Sequence, residues 1–561
     1  MANVKNTLRL RYAPIRSACL SVLSRRMYSI SRGDKSPQSM AQTDNEDYYR
    51  FTGGRWLWAE EARLQERYKK FSVPGLKRLA AEAVGARSCV SIFKLAEGGF
   101  NKIFRLSMDS GSVVIARIPN PNVGPAFKVI ASEVATMDFA RNVIGIPVPK
   151  VLAWDGGKSN SAESEYILME EAKGTQLEVI WSDMDLDEKF KVVDDVVAIQ
   201  QKLQSVAFSR YGSLYFRSDA PKGCSNVEVH GDLPSSARSA ARDQFVIGPV
   251  ADQAFWETTQ IPLFTDRGPW LDAQSYLHAI SQRERMKMPP MKNLAFNNSS
   301  QEAHGILDSP QARLSLLDKI DAVSSYLPPS DPTLNKATLS HWDLRAPNMF
   351  VENGRITALI DWQDTWVGPL FMQERRPQLI EYHGEMILRL PDYYETMEDK
   401  VEKAKLTDRV EKSILLWYYG QEMQEKNPTL QNLFDLPLAR KRRETVLFAS
   451  ELWEGETIPL RECLYQLQRN WDKLDTGVQC PISFTRTEIE AHDRASVGWN
   501  ERAEFWSSLD GFVSRDGYTS NENYEEARKM FEGLREDGLA CLSGAELAEF
   551  MEQSRWAERS S

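Results

Sequence analysis

The stretch Leu339-Ser340-His341-Trp342-Asp343-Leu344-Arg345-Ala346-Pro347-Asn348-Met349-Phe350-Val351, with the Glu352-Asn353-Gly354-Arg355 and Ile356-Thr357-Ala358-Leu359-Ile360-Asp361-Trp362 that follow it, decides how the rest of the chain is read. Asn-Gly between two apolar runs signals a two-residue hairpin, because both central positions of a type I′ turn need positive φ. The spacing predicts a strand over 356–360 that folds back on the one before it. Asp343 and Asn348 stand five apart on the preceding loop, and Asp361 lies thirteen residues beyond Asn348, so the returning strand brings Asp361 beside Asn348. Three oxygen-bearing side chains converge there. An Asp and an Asn are hard oxygen donors of the kind that suit Mg²⁺ placed between protein and nucleotide phosphates. The other Asp, left free of metal, can orient a substrate hydroxyl and take its proton. Taken alone, Asp343 reads as a turn or capping residue.

Working outward, residues 89–119 alternate apolar and polar positions in Val90–Leu95, Ile103–Met108 and Val113–Ile118, with Glu97-Gly98-Gly99-Phe100-Asn101 and Asp109-Ser110-Gly111 between the runs. That pattern predicts a three-stranded antiparallel meander. A helix over Ala126–Asn142 and strands at Val151–Trp154 and Tyr166–Glu170 complete a five-stranded α+β lobe. Before it, Phe51-Thr52-Gly53-Gly54-Arg55-Trp56 is expected to open a helix running to about Phe71, broken by Pro74-Gly75 ahead of a second helix over Leu76–Val84. After it come an amphipathic helix over Asp187–Leu203 and an irregular stretch from Phe208 to Leu339, with helices near Trp270–Gln282 and Leu314–Ser325. Beyond Trp362 the text is mostly helical, with helices over Val401–Tyr419, Arg440–Trp453, Glu488–Trp506 and Glu525–Leu534.

Length and composition set outer limits. A chain of 561 residues exceeds one compact domain, and 42% apolar with 26% charged residues is the make-up of a globular protein with a sizeable core. A formal net charge of −10 argues against a nucleic-acid-binding face. No apolar run approaches the roughly 18 residues of a membrane span. The six cysteines form no Cys-x-x-Cys and the six histidines no metal-ligating cluster. No Gly-x-Ser-x-Gly elbow is present, and Gly157-Lys158-Ser159 lacks the leading glycine of a P-loop. The first acid is Asp34, after Lys5, Arg9, Arg11, Arg16, Arg25, Arg26 and Arg32, in a serine-rich leader with interspersed apolar residues. Such a leader reads as a mitochondrial transit peptide, with an ordinary disordered basic tail as the alternative. Arg26-Met27-Tyr28-Ser29 resembles a matrix-processing site. Cleavage after Tyr28 would leave a mature chain of net −16.

His341-x-Asp343-x-x-x-x-Asn348, the hairpin, and Ile360-Asp361-Trp362 together resemble the aminoglycoside phosphotransferase and choline kinase-like group of protein-kinase-like enzymes. The resemblance implies a two-lobed α+β kinase-like fold with helical N- and C-terminal extensions. It implies Mg²⁺- and ATP-dependent phosphoryl transfer to the hydroxyl of a small molecule. In that family's pattern Asp343 orients the acceptor, Asn348 and Asp361 hold Mg²⁺, Arg345 neutralises the transferring phosphate, and His341 holds the loop. Gly98, Gly99 and Asn101 belong to the loop over the phosphates. Arg117, standing where protein kinases have lysine, pairs with Glu133, or else the two form a mere surface ion pair. Glu170 and Ala172 fall in the hinge that meets adenine. Gln363 replaces an acid that relatives often carry after Asp-Trp. Acids such as Glu374 and Glu381 would suit a cationic acceptor.

The leader, Phe51–Trp58 and this domain together look most like the altered inheritance of mitochondria protein 9 family, which implies a mitochondrial matrix location. The expected organisation is transit peptide 1–28, linker and helical extension 29–88, N-lobe 89–172, C-lobe 173–395 with an insertion at about 208–338, and helical C-terminal region 396–561. The alternative to an enzyme is a kinase-like scaffold that supports mitochondrial maintenance or inheritance without turnover. A protein kinase is disfavoured because Asp-Phe-Gly and Ala-Pro-Glu are missing. The sequence names neither protein partners nor the acceptor.

Overall fold

A computed structural model describes residues 45–256, 265–287, 307, 309–373, 375–452 and 457–554. The expected transit peptide, Glu374 and Trp453 lie outside the described residues. The chain divides into two compact units. The smaller comprises residues up to Lys70, the tip Ala96–Gly99 and residues from Ser496 onward; the larger comprises Phe71–Leu95 and Phe100–Ala495.

In the smaller unit the strand β1 (Arg55–Trp56) pairs antiparallel with Tyr518–Thr519, Trp56 opposite Tyr518. The helix expected from Phe51 to Phe71 is therefore not formed; only Glu60–Glu66 is helical in its middle. Trp56 is buried, its Nε1 donating to Asp516 Oδ2 at 3.0 Å. Thr52 N and Oγ1 hold the Glu97 carboxylate at 2.8 and 3.2 Å, and the Tyr518 hydroxyl donates to Gly53 O at 3.2 Å.

The larger unit begins with α1 (Val73–Ala83), capped by Ser72, with Pro74 in its first turn. Proline there opens the helix instead of breaking it, since its missing N–H would have had no partner. The expected meander and the two further strands are present as β2 (Cys89–Glu97), β3 (Asn101–Met108), β4 (Val113–Pro119), β5 (Val151–Asp155) and β6 (Tyr166–Glu170), in the order β2-β3-β4-β6-β5. Between β4 and β5 runs α2 (Ala126–Asp138). Its Ile130 and Val134 pack on Ile167 of this sheet.

The segment expected to be irregular builds a sheet of its own. After β7 (Thr175–Gln176), α3 (Leu186–Gln204) and β8 (Val206–Phe208) come β9 (Ser213–Phe216), β10 (Ser225–Asn226), β11 (Val229–Gly231) and β12 (Phe245–Gly248). Strands β10, β12 and β9 form a three-stranded sheet against the other side of α2, where Ala131, Tyr215 and Val246 cluster. The Tyr215 hydroxyl donates to Pro249 O at 2.8 Å. α2 is thus gripped on two sides.

The functional strands follow: β13 (Ala337–Leu339), β14 (Met349–Glu352), β15 (Arg355–Leu359) and β16 (Val367–Pro369). Asn353 and Gly354, with φ of 54° and 74°, make the hairpin turn between β14 and β15. β7 joins this hairpin, and Gly174 just before it has φ 92°; a Cβ there would lie 2.5 Å from Val351 O, so only glycine lets the chain pass. The long helix α4 (Lys400–Lys426) packs on α3 through Tyr418 to Asp194 at 3.0 Å and Tyr419 to Gln200 at 2.9 Å. The architecture is the α+β, kinase-like one expected, with helices before and after strands β13–β16.

Candidate active site

Register places the two loops of the site side by side. β13 pairs with β16, Leu339 opposite Val367, while β14 pairs with β15, Met349 opposite Leu359. The loops 340–348 and 360–366 leave and re-enter the same two pairings, so neither can move without the other. Backbone bonds stitch them, Ile360 N to Asn348 O at 3.0 Å. His341 adds a side-chain stitch. Its Nε2 lies 3.0 Å from Ile360 O, and its Nδ1 accepts the Asp343 N–H at 3.3 Å, an arrangement that requires the Nε2–H tautomer. Burial pushes this imidazole below its ordinary value, against the opposing pull of the Ile360 carbonyl and of Asp361 and Asp343, and keeps it neutral. With both nitrogens engaged, His341 holds the loop, edge-on to the buried Trp362 at 4.8 Å.

Asp343 Oδ2 accepts from Asn348 Nδ2 at 2.7 Å and from Arg345 Nε at 2.8 Å. Its Oδ1 has no partner among the described residues. Asn348 is buried, its Nδ2 spent on Asp343, so its Oδ1 is the atom left for a ligand. Asp361 has φ 64°, which turns its carboxylate out of the strand line, and Trp362 pins that turn by donating Nε1 to Leu359 O at 3.1 Å. Asn348 Oδ1 and the Asp361 carboxylate are two hard oxygen donors, the number Mg²⁺ commonly takes from protein when phosphates and waters complete its shell. Among the described residues no cluster of three or more His, Cys, Asp or Glu could hold a metal without such help.

From the sheet side, Arg117 on β4 stands opposite Ile103 and Ile167, and Asn101 lies two positions along on the same face of the sheet. Arg117 and Glu133 are joined by a hydrogen-bonded ion pair with side chains only 7% and 3% exposed, which excludes the surface-pair alternative. Arg117 Nη2 also donates to Gln363 Oε1 and lies 3.7 Å from Asp361 Oδ1. Asn101 Nδ2 donates to the same Gln363 oxygen at 2.8 Å. Burial lowers the Arg117 guanidinium from its ordinary value, opposed by Asp361 and Asp364. The Asp364 carboxyl is pushed up to about 6 by desolvation and by Asp252 of the insertion.

The structure therefore brings Asn101, Arg117, Glu133, Asp361 and Gln363 into one network, and Asp343, Arg345, His341 and Asn348 into the adjoining one. Gln363, read from sequence only as a departure, is the link between β3 and β4. Glu170 N bonds to Lys150 O at 2.9 Å, while the Ala172 N–H two residues on has no partner among the described residues. Gly98 and Gly99 sit in the β2–β3 turn and belong to the smaller unit. A Cβ on either would meet no described atom within 4 Å.

A family model described as "Phosphotransferase enzyme family" matches residues 93–372. This segment contains both loops and the β3–β4 face. A relative from Aspergillus fumigatus, named as a subtelomeric hrmA-associated cluster protein, is 30% identical over 501 residues, covering 82% of this chain and 94% of its own. The chain belongs to the phosphotransferase enzyme family. Other homologues are named "Altered inheritance of mitochondria protein 9, mitochondrial": the Yarrowia lipolytica protein is 24% identical over 89% of this chain and 92% of its own, and the Saccharomyces cerevisiae protein 22% identical over 79% and 82%. A solved structure of a thermostable aminoglycoside phosphotransferase APH(4)-Ia mutant aligns over 72% of this phosphotransferase-family chain at 15% identity with a TM-score of 0.32.

Proposed function

We propose that this protein transfers the γ-phosphoryl group of ATP to a hydroxyl of a small molecule in the mitochondrion. The observation that carries this is the Asp343 carboxylate, held by Asn348 and Arg345, with Oδ1 left over on a loop locked to the Asp361 turn. In the step, the acceptor oxygen bonds to the γ-phosphorus, the bond from that phosphorus to the β,γ-bridging oxygen breaks, the hydroxyl proton passes to Asp343, and ADP leaves with the electron pair. Asp343 orients and deprotonates. Arg345, fixed by Asp343, places positive charge beside the transferring group. Arg117, backed by Glu133, positions phosphates from the sheet side. Mg²⁺ held by Asn348 and Asp361 would neutralise charge on the phosphate oxygens. Ala172 N–H is the hinge group offered to adenine. The mitochondrial setting rests on the basic leader and on the names of the homologues.

A second reading, a kinase-like protein without turnover, draws on Arg117: Glu133 and Gln363 already take one N–H from each of its Nη groups. Calorimetry with Mg·ATP, with ATP plus chelator, and a label-transfer assay separates the two. Tight Mg²⁺-dependent ATP binding with transfer supports the enzyme; binding with no transfer to any acceptor in a metabolite extract supports the scaffold. Equal ATP affinity with and without Mg²⁺ would refute the metal assignment.

A further inference from the structure

Beside Asp343 the larger unit carries a cleft of about 480 Å³, open to solvent, between the catalytic loop, the end of α3, Gln373 and Arg375–Gln378. Its polar lining has a consistent sense. Gln200 Oε1 is taken by the Tyr419 hydroxyl at 2.9 Å, and Gln204 Oε1 by Asn427 Nδ2 at 2.8 Å. With both oxygens engaged, what these glutamines have left is their NH₂ groups. Gln373 turns its own NH₂ inward to Thr338, and its Oε1 is buried with no hydrogen-bond partner among the described residues. Arg375 and Arg376 line the same wall, both exposed, and neither forms an ion pair with any described residue. Arg376 is held over the Phe434 ring at 5.2 Å.

Among the described lining residues the one acid is Asp343, whose charge Arg345 already shares. His341, also on the lining, is neutral. A cationic acceptor would meet two guanidiniums and two NH₂ donors there and, among the described residues, no carboxylate except the base. Glu381, expected from sequence to favour such a cation, is not on the lining and pairs with His383 at 3.1 Å.

We infer that the acceptor is an anionic hydroxyl compound, its carboxylate or phosphate gripped by Arg375 and Arg376 and its further oxygens by the Gln200 and Gln204 amides. This rests on the phosphoryl-transfer reading above and gives it a substrate class. The reaction is the one already written, with the hydroxyl delivered to Asp343 by a fixed anionic handle. Planar guanidiniums suit either anion, because each can bond two oxygens at once.

The test uses the full-length protein. Binding is measured by calorimetry in the presence of Mg²⁺ and a non-hydrolysable ATP analogue, and transfer is measured with labelled ATP. The probes are D-glycerate (carboxylate), glucose 6-phosphate (phosphate), glucose (neutral), and choline and hygromycin B (cationic). Saturable binding of one or both anions is expected, and which one binds identifies the handle. Arg375→Gln/Arg376→Gln should weaken that binding tenfold or more, about 1.4 kcal/mol. Arg375→Lys/Arg376→Lys, which keeps the charge, should recover part of it, and ATP affinity should stay at the wild-type value in both.

Preferential binding or phosphorylation of glucose, choline or hygromycin B overturns the inference. So does failure of both anions to bind, or an anion affinity that ignores the glutamine pair. Transfer to a neutral or cationic compound sinks the substrate class while leaving phosphoryl transfer intact. Arginine-dependent anion binding without transfer supports the class and counts against turnover.

Discussion

Replacing Glu133 with alanine leaves Arg117 as a buried cation without its main counter-charge. Both side chains are almost fully enclosed, at 7% and 3% exposure, so water cannot take the carboxylate's place. Breaking a buried pair by removing one partner costs about 3–5 kcal/mol. Arg117 would retain Gln363 and, at 3.7 Å, Asp361, which sets the expected cost at the low end, about 3 kcal/mol. At roughly 2 °C per kcal/mol for a unit of this size, the melting temperature of the larger unit should fall by roughly 6 °C. Glu133→Gln keeps an oxygen for Nη1 and should cost about 1–2 kcal/mol. If Arg117 positions phosphate as proposed, losing its fixed position should also weaken Mg·ATP binding roughly tenfold. Scanning calorimetry reads the melting temperature, and titration calorimetry reads the nucleotide. If Glu133→Ala melted within about 1 °C of wild type and bound Mg·ATP unchanged, the pair would be neither structural nor phosphate-positioning, and the reasoning would fail.

Asp343→Asn should spare Mg·ATP binding and lower turnover by roughly 10²-fold or more, while Asp361→Asn should weaken the metal-dependent nucleotide affinity; equal effects on binding would contradict the division of roles. Tyr215→Phe should cost about 1 kcal/mol through the bond to Pro249, and Tyr215→Ala about 3–5 kcal/mol with a loss of ATP affinity as α2 loosens, read by thermal unfolding with and without nucleotide. His341 stays neutral in the fold, so below its unfolded value of about 6.5 the unfolded chain takes up a proton the native state refuses. Stability should therefore fall as pH drops from 7 to 5, and less steeply in His341→Gln; parallel curves would refute this. A reporter fused to residues 1–40 should enter mitochondria, and cytosolic retention would remove that part of the proposal.

Strands β14 and β15 are legible in the sequence because their signal is local. Asn353-Gly354 specifies its own turn, and the offsets from Asp343 to Asn348 and Asp361 survive any packing detail. The β2–β6 strands showed through their alternation. The insertion's sheet did not, because β12 is only Phe245–Gly248 and is buried at every position, so no period of two is present to be read. Trp56 was misjudged as helical because its partner, Tyr518, lies more than 400 residues away and leaves no trace nearby. Gln363 looked like a missing acid until the register put Asn101 and Arg117 on either side of its oxygen. Arg375 and Arg376 leave no mark in the sequence because what singles them out is their place on the lining of the cleft beside Asp343, which only the fold creates.

The hold of Thr52 on Glu97 has a practical corollary for anyone dissecting this protein. Residues 93–372 look like a self-sufficient cassette when the family's borders are used as scissors. Excised there, the cassette would cut into β2 ahead of Gly98 and Gly99 and lose Thr52, and with it the anchor of the Glu97 end of that strand. It would also discard α4, whose Tyr419 orients Gln200. Fusions or nicks in residues 45–70 or after Ser496 act on the same small unit that contains that turn, so a property measured on a trimmed chain would report the scissors as much as the protein.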